Sequence, residues 1–319
     1  MTWLLLTLAV LLLVILVLSI GLFRYACVRR KEKNNENEVG ASWEPFAKRV
    51  EEGKNWLNAH TAETVTLITF DGLKIKSRVV PHENAKGTVI AMHGYRSRSD
   101  VDFAPECEFL WGLGYNLLVV MQRSHDESEG KYITFGVKER FDCRQWAEYA
   151  EKRFGEESPV FLSGISMGSA TVMMASELKL PENIRGIIAD CGYTSPWEIA
   201  SHVLRNSLHL PAFPVMTTAN WIARLVAKFS FKEAAALTAL QRNKLPILFI
   251  HGGKDDFVPT EMSYRNYEAC TASKKLVIIE EAAHAQSYMV DTETCQREIR
   301  EFLECYNRPG KTTATRAAD

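Results

Sequence analysis

The chain of 319 residues lacks any marked excess of charge: 38 basic and 39 acidic side chains leave a formal net charge of −1. It also lacks a basic stripe interleaved with aromatics, so the pattern of a nucleic-acid-binding surface is missing. Its seven cysteines are odd in number and scattered from Cys27 to Cys305. No two have the spacing of a zinc site or a redox pair, and free core thiols point to a reducing compartment. No motif calls for a metal or an organic cofactor, and no internal repeat divides the chain. The length suits one large α/β domain of roughly 250 residues with appendages.

What the chain does have is one apolar run, residues 3–23, interrupted weakly by Thr7, Ser19 and Gly21. Such a run is long enough to cross a bilayer as a helix. It is too long for a signal peptide, with no basic segment before it and no small-x-small cleavage site after it. Arg24, Arg29, Arg30, Lys31 and Lys33 follow the run and no charged side chain precedes it. The positive-inside tendency therefore predicts a single-pass cell-membrane protein with a cytoplasmic C-terminal domain. Residues 1–30 are read as anchor and basic flank, and residues 31–60 as a polar linker (31–42) followed by an amphipathic helix. The polar tail from Asn307 to Asp319 is read as disordered.

Between these flanks, strand and helix signals alternate. Residues 64–70 and 73–80 flank Asp71-Gly72, a hairpin signal. Strands are expected at 87–93, 115–121, 159–163, 185–190, 245–251 and 275–280, and helices at 101–113, 136–154 and 292–305. This order predicts a mostly parallel sheet covered on both faces over residues 61–306. An insertion at about residues 195–244, rich in aromatics and helix formers, reads as a helical cap over the C-terminal ends of the strands, where α/β proteins bind ligands.

The most specific signal is Gly164-Ile165-Ser166-Met167-Gly168, set between a strand and a helix. A serine at such a sharp turn, with glycine two residues away on each side, has the pattern of a nucleophile elbow. An acyl-transfer serine needs a base, an orienting acid and donors for the oxyanion. His284 follows the last strand within Glu281-Ala282-Ala283-His284-Ala285, where small neighbours leave its ring room to approach. The preceding strand runs into His251-Gly252-Gly253-Lys254-Asp255-Asp256-Phe257-Val258-Pro259, which offers two adjacent carboxylates. Asp190, at the end of an earlier strand, is a third. The order serine, acid, histidine is that of the α/β-hydrolases.

On these motifs the chain resembles the α/β-hydrolase superfamily over residues 60–306. Within it, the chain is similar to bacterial membrane-anchored serine hydrolases and to serine aminopeptidase S33-like and Bem46-like hydrolases. The resemblance implies an α/β-hydrolase fold and a carboxylesterase-like activity through Ser166, Asp255 and His284. It selects Asp255 over Asp256, because the acid stands three residues before the valine of Val-Pro. It implies an oxyanion hole from the backbone N–H groups of Met167 and of Tyr95, the latter in Met92-His93-Gly94-Tyr95. His93 and His251 are expected to be scaffold residues. One departure stands out: relatives carry Arg-x-His-Gly-x-Ser after the next strand, and here Asp126 replaces the glycine. The expected substrate is a small-molecule or lipid-like acyl compound, cleaved without a metal or cofactor. Amide or peptide hydrolysis, and a catalytically silent binding module, are the alternative readings.

Overall fold

The computed structural model describes residues 1–30 and 41–307. The expected tail from residue 308 and most of the expected linker lie outside the described residues. Helix α1 (Thr2–Cys27) comes first, then α2 (Ala47–His60) after a short 3-10 turn. The hairpin β1 (Glu63–Ile68) and β2 (Lys74–Val80) leads into β3 (Gly87–Met92), the short α3 (Ser99–Asp102), α4 (Ala104–Gly112) and β4 (Tyr115–Met121). Next come α5 (Glu139–Phe154), β5 (Val160–Ile165), α6 (Met167–Ala175) and β6 (Ile184–Asp190). The inserted helices α7 (Pro196–Asn206), α8 (Ala212–Val226) and α9 (Ala236–Leu240) precede β7 (Ile247–Gly252). The chain closes with α10 (Thr260–Ala269), β8 (Lys274–Ile279), α11 (Ser287–Val290) and α12 (Thr292–Tyr306).

The eight strands form one sheet in the order β1-β2-β4-β3-β5-β6-β7-β8. β2 pairs antiparallel with β1 and β4, and every other neighbouring pair is parallel. The central strands β3, β4, β5 and β7 are buried along their whole length, as unbroken apolar runs in a two-sided parallel sheet require. One face packs on α5, α6, the inserted helices and the end of α1, around Trp146, Met173, Phe229 and Phe231. The other packs on α2, α4 and α12, around Leu57, Phe103, Leu110 and Leu303. Helix α2 therefore buries Val50 and Leu57 against the domain.

Three local differences from the sequence expectation have physical causes. The expected helix at 101–113 is two helices, because the chain turns at Phe103 and Pro105 opens a new first turn with no N–H to lose. The helix expected from 136 begins at Glu139, after Phe135 and Gly136 take positive φ values of 55° and 84°. The hairpin loop is wider than Asp71-Gly72 alone. Thr69 Oγ1 donates to Asp71 Oδ1 at 2.7 Å, while Arg123 donates to the Asp71 carboxylate at 3.0 and 3.1 Å. The loop is thus closed by side chains that the strand pattern does not reveal.

Helix α1 is apolar and long enough to cross a membrane by length and composition. Most of its side chains up to Leu18 are exposed, whereas Ser19, Phe23 and Cys27 are buried. These three lie four residues apart on one helix face. The Ser19 hydroxyl donates to the Ile15 carbonyl (2.7 Å) and approaches the Val215 carbonyl of α8 at 3.1 Å. Beyond the helix, Val28 bridges Tyr132, the Arg29 amide donates to the Lys131 carbonyl (2.9 Å), and the Ile133 amide donates to the Cys27 carbonyl (2.7 Å).

Candidate active site

The parallel strands end on one side of the sheet, and the sequence-predicted residues stand on the connections that follow β3, β5, β7 and β8. Ser166 follows β5 with φ 55° and ψ −113°, a strained conformation for a residue with a side chain. The flanking glycines permit it. A Cβ on Gly168 would stand 1.7 Å from the Met92 carbonyl oxygen, and one on Gly164 would stand 2.4 Å from the Gly168 backbone. The elbow is thus wedged against the end of β3, and α6 starts directly after the serine.

His284 Nε2 lies 2.9 Å from Ser166 Oγ, and its Nδ1 lies 2.7 Å from Asp255 Oδ2. With the carboxylate accepting, Nδ1 carries the proton and Nε2 is free to accept from the serine. Asp255 Oδ1 accepts from the amides of Phe257 (3.0 Å) and Val258 (2.8 Å). Burial would raise the Asp255 carboxyl, but hydrogen bonds from His251 and His284 outweigh it and hold the group at about 2. Asp256 is exposed. Asp190 is buried, and burial lifts its carboxyl to about 6; its recorded side-chain contact is Ser287 Oγ at 3.4 Å. Of the three carboxylates considered, Asp255 is the one that meets His284.

Near Tyr95 the backbone is fixed on both sides. The Gly94 amide donates to Asp102 Oδ2 (2.6 Å) and the Arg96 amide to His125 Nε2 (3.0 Å). Among the described residues the amides of Tyr95 and Met167 have no recorded acceptor. His125 Nδ1 meets the Arg123 carbonyl at 2.9 Å, so Nδ1 carries the proton and Nε2 accepts; burial keeps this imidazole well below its usual range. His93 is a scaffold residue, its Nδ1 on the Gly94 carbonyl (2.8 Å) and its Nε2 accepting from the Gln122 amide (3.1 Å). Asp126, in place of the usual glycine, takes φ 45°, and its carboxylate accepts from the Ser99 amide at 3.0 Å.

Two further side chains adjoin Asp255 and His284. His251, expected to be scaffold, also places Nε2 3.1 Å from Asp255 Oδ2. The ring of Phe257 packs on His284 with centroids 4.9 Å apart. Both lie in the stretch that supplies Asp255, so their proximity in sequence was the available signal. Cys191, Asp255 and His284 bring one potential ligand atom each within 4.8 Å of one another. Burial, foremost, and the nearby carboxylates hold the Cys191 thiol protonated, and Asp255 is already engaged by two imidazoles, so the set does not fit a resident metal.

An apolar cavity lies beside this constellation, bounded by Tyr95 and Phe257 on the site side. Much of the remaining wall comes from Leu22, Phe23, Tyr25 and Ala26 of α1 and from Ile199, Val203, Met216 and Ala219 of the inserted helices, with Phe135 and Tyr193 from the loops of the domain.

Known proteins resemble the chain over most of its length. YqkD of Bacillus subtilis is 27% identical over 237 residues, covering 74% of this chain and 77% of that protein. The yeast membrane protein YNL320W of Saccharomyces cerevisiae is 22% identical, covering 67% and 70%. Among solved structures, the Pyrococcus furiosus esterase Pf2001 superposes with a TM-score of 0.63 at 23% identity, covering 87% of this chain and 99% of that one. The profile of the prolyl oligopeptidase family matches residues 125–306, a span that includes Ser166, Asp255 and His284. The superfamily expected from the motifs is the one found: this chain is an α/β hydrolase, and it belongs to the prolyl oligopeptidase family.

Proposed function

We propose that the protein is a membrane-anchored serine hydrolase that cleaves a carboxylic ester through a covalent acyl-enzyme. The observation that carries this reading is the unbroken chain of contacts from Ser166 Oγ through His284 to Asp255. His284 Nε2 takes the hydroxyl proton as Ser166 attacks the carbonyl, and the buried carboxylate of Asp255 stabilises the imidazolium. The amides of Met167 and Tyr95 donate to the oxyanion, each worth ~3 kcal/mol in the transition state. The imidazolium then protonates the departing alcohol. Water, deprotonated by the same histidine, releases the acid and restores the serine.

The mostly apolar lining of the cavity beside Tyr95 and Phe257, where the Tyr95 and Tyr193 hydroxyls already donate to the Ala26 and Phe135 carbonyls, favours an acyl ester over a peptide, whose backbone would leave unpaired polar groups there. The family match keeps amide hydrolysis as the second reading. Anchoring rests on the length and apolarity of α1, with the domain on the cytoplasmic side as Arg24, Arg29 and Arg30 favour. In this reading residues 1–30 are the anchor and its flank, 61–306 the hydrolase domain and about 195–244 its cap.

The test is covalent labelling with a fluorophosphonate probe. The wild type labels at Ser166 and Ser166→Ala does not. A folded wild type that fails to label overturns the reading.

A further inference from the structure

The apolar cavity is built in part from the helix that marks the chain as membrane-bound. Leu22, Phe23, Tyr25 and Ala26 of α1 close one side, Met216 and Ala219 of α8 another, and Ile199, Ala200 and Val203 of α7 a third. Its lining also includes Tyr25, Leu208 and Phe257, all exposed. The lining also reaches Tyr95, the candidate oxyanion residue, and the Phe257 ring packs on His284.

Depth follows from the length of α1. At about 1.5 Å per residue, the apolar run of residues 3–23 matches the ~30 Å hydrocarbon core, which sets Arg24 and Tyr25 at the headgroup boundary. The cavity wall of residues 22–26 therefore lies at the level where the ester groups of membrane lipids reside. Contacts of α1 with α8 begin deeper, at Ser19 opposite Val215, so the start of α8 lies within the bilayer beside α1. The outer face of α8 agrees. It turns Val215, Met216, Ala219 and Ala223 inward, and it leaves Phe213 (78% exposed), Trp221 (58%) and Leu225 (70%) bare. Trp221 and Leu225 stand four residues apart on one stripe of the helix, and Phe213 precedes that stripe in a non-helical conformation (φ −95°, ψ 135°). Arg224 stacks its guanidinium over Trp221 at 5.2 Å, a cation able to reach the headgroups from an apolar ring.

We propose that this cavity takes the acyl chain of a membrane lipid ester, which enters sideways from the bilayer with α1 and α8 as its walls. The proposal rests on Ser166 being the nucleophile. In the covalent step the lipid's acyl–oxygen bond breaks as the acyl–Oγ bond forms, and the alcohol leaves with the proton held by His284. The anchor is then a substrate-binding element as well as a tether.

The experiment uses the full chain reconstituted in phosphatidylcholine vesicles with 4-methylumbelliferyl oleate or 4-methylumbelliferyl butyrate, and a fluorophosphonate label as control. The expected result is a kcat/KM at least tenfold higher for oleate presented in the protein's own vesicles than for oleate in separate vesicles. Ala219→Trp, which fills the cavity, should lower the oleate-to-butyrate ratio at least tenfold while the protein still labels. Leu208→Trp at the rim is the second variant should Ala219→Trp fail to fold. If the protein labels and cleaves butyrate but shows no preference for oleate in its own bilayer, the lipid proposal is overturned and the serine hydrolase reading stands. An oleate-to-butyrate ratio unmoved by either variant in labelled protein also overturns it. If neither ester is cleaved and nothing labels, the nucleophile reading falls and this one with it.

Discussion

His251 Nε2 stands 3.1 Å from Asp255 Oδ2, the same oxygen that meets His284 Nδ1 at 2.7 Å. One carboxylate oxygen thus faces two imidazoles. His251 Nε2 is also 2.9 Å from the Val258 carbonyl, so both of its Nε2 neighbours are acceptors and Nε2 must carry the proton. Ser263 Oγ, at hydrogen-bond distance from Nδ1, is then the donor that fixes the tautomer. His251→Gln should lower kcat about tenfold with KM little changed, because it loosens Asp255 without touching the substrate. Ser263→Ala should give a smaller loss in the same parameter. Steady-state kinetics on a soluble ester separates the two constants, and a rise in KM alone would contradict the assignment.

Gly168 faces the Met92 carbonyl so closely that no side chain fits, whereas a Cβ on Gly21 of α1 would meet nothing within 4 Å. Gly168→Ala should therefore destabilise the fold by more than about 3 kcal/mol, in the range of overpacked, strained sites. Gly21→Ala should be neutral or slightly stabilising to α1. Thermal unfolding of the two variants side by side checks the contrast.

Glu106 is buried on α4, and its Oε1 has no hydrogen-bond partner. Burial, aided by the charge of Asp190, pushes its carboxyl up to about 8. An unfolded glutamate titrates near ~4.3, so the folded state holds an extra proton between the two values. Stability tied to this group is full below the unfolded value and is lost as pH climbs through 8. The wild-type melting temperature should fall by several degrees more than that of Glu106→Gln between about pH 5 and pH 8, given ~2–4 °C per kcal/mol for a domain of this size. Parallel pH dependences would refute the assignment.

Six cysteines are buried and Cys305 is exposed. Burial raises the thiols of Cys107, Cys143 and Cys191 above their usual range, which leaves little thiolate to react. A thiol reagent should titrate one group in the native protein and seven after denaturation, the total present in the chain. A fast second equivalent would show that the core opens.

Much of the site was legible because its chemistry is local. The elbow announces itself through two glycines, and the acid and base each sit directly after an apolar run. The choice of Asp255 over Asp256 needed the resemblance. The role of His251 was not legible, since a histidine ending a strand looks the same whether its Nε2 faces a carbonyl or a carboxylate. The docking of the C-terminal end of α1 was equally hidden. Hydropathy sums a helix over all its faces, and Phe23 and Cys27 differ from their neighbours in direction rather than in polarity. Where Pro105 or the Thr69–Asp71 contact overrides the periodic pattern, the elements shift by a few residues and the topology does not.

The bridge between Val28 and Tyr132 ties the end of α1 into the domain before the chain goes on to α2, which is docked separately. The Tyr95 hydroxyl adds a bond to the Ala26 carbonyl at 2.8 Å. Covalent continuity between Arg30 and Ala41 is therefore not what holds the enzyme to its helix. A protease site placed there and cut would yield two polypeptides that stay associated and part only on denaturation. The molecule would behave as a noncovalent heterodimer made from one gene product.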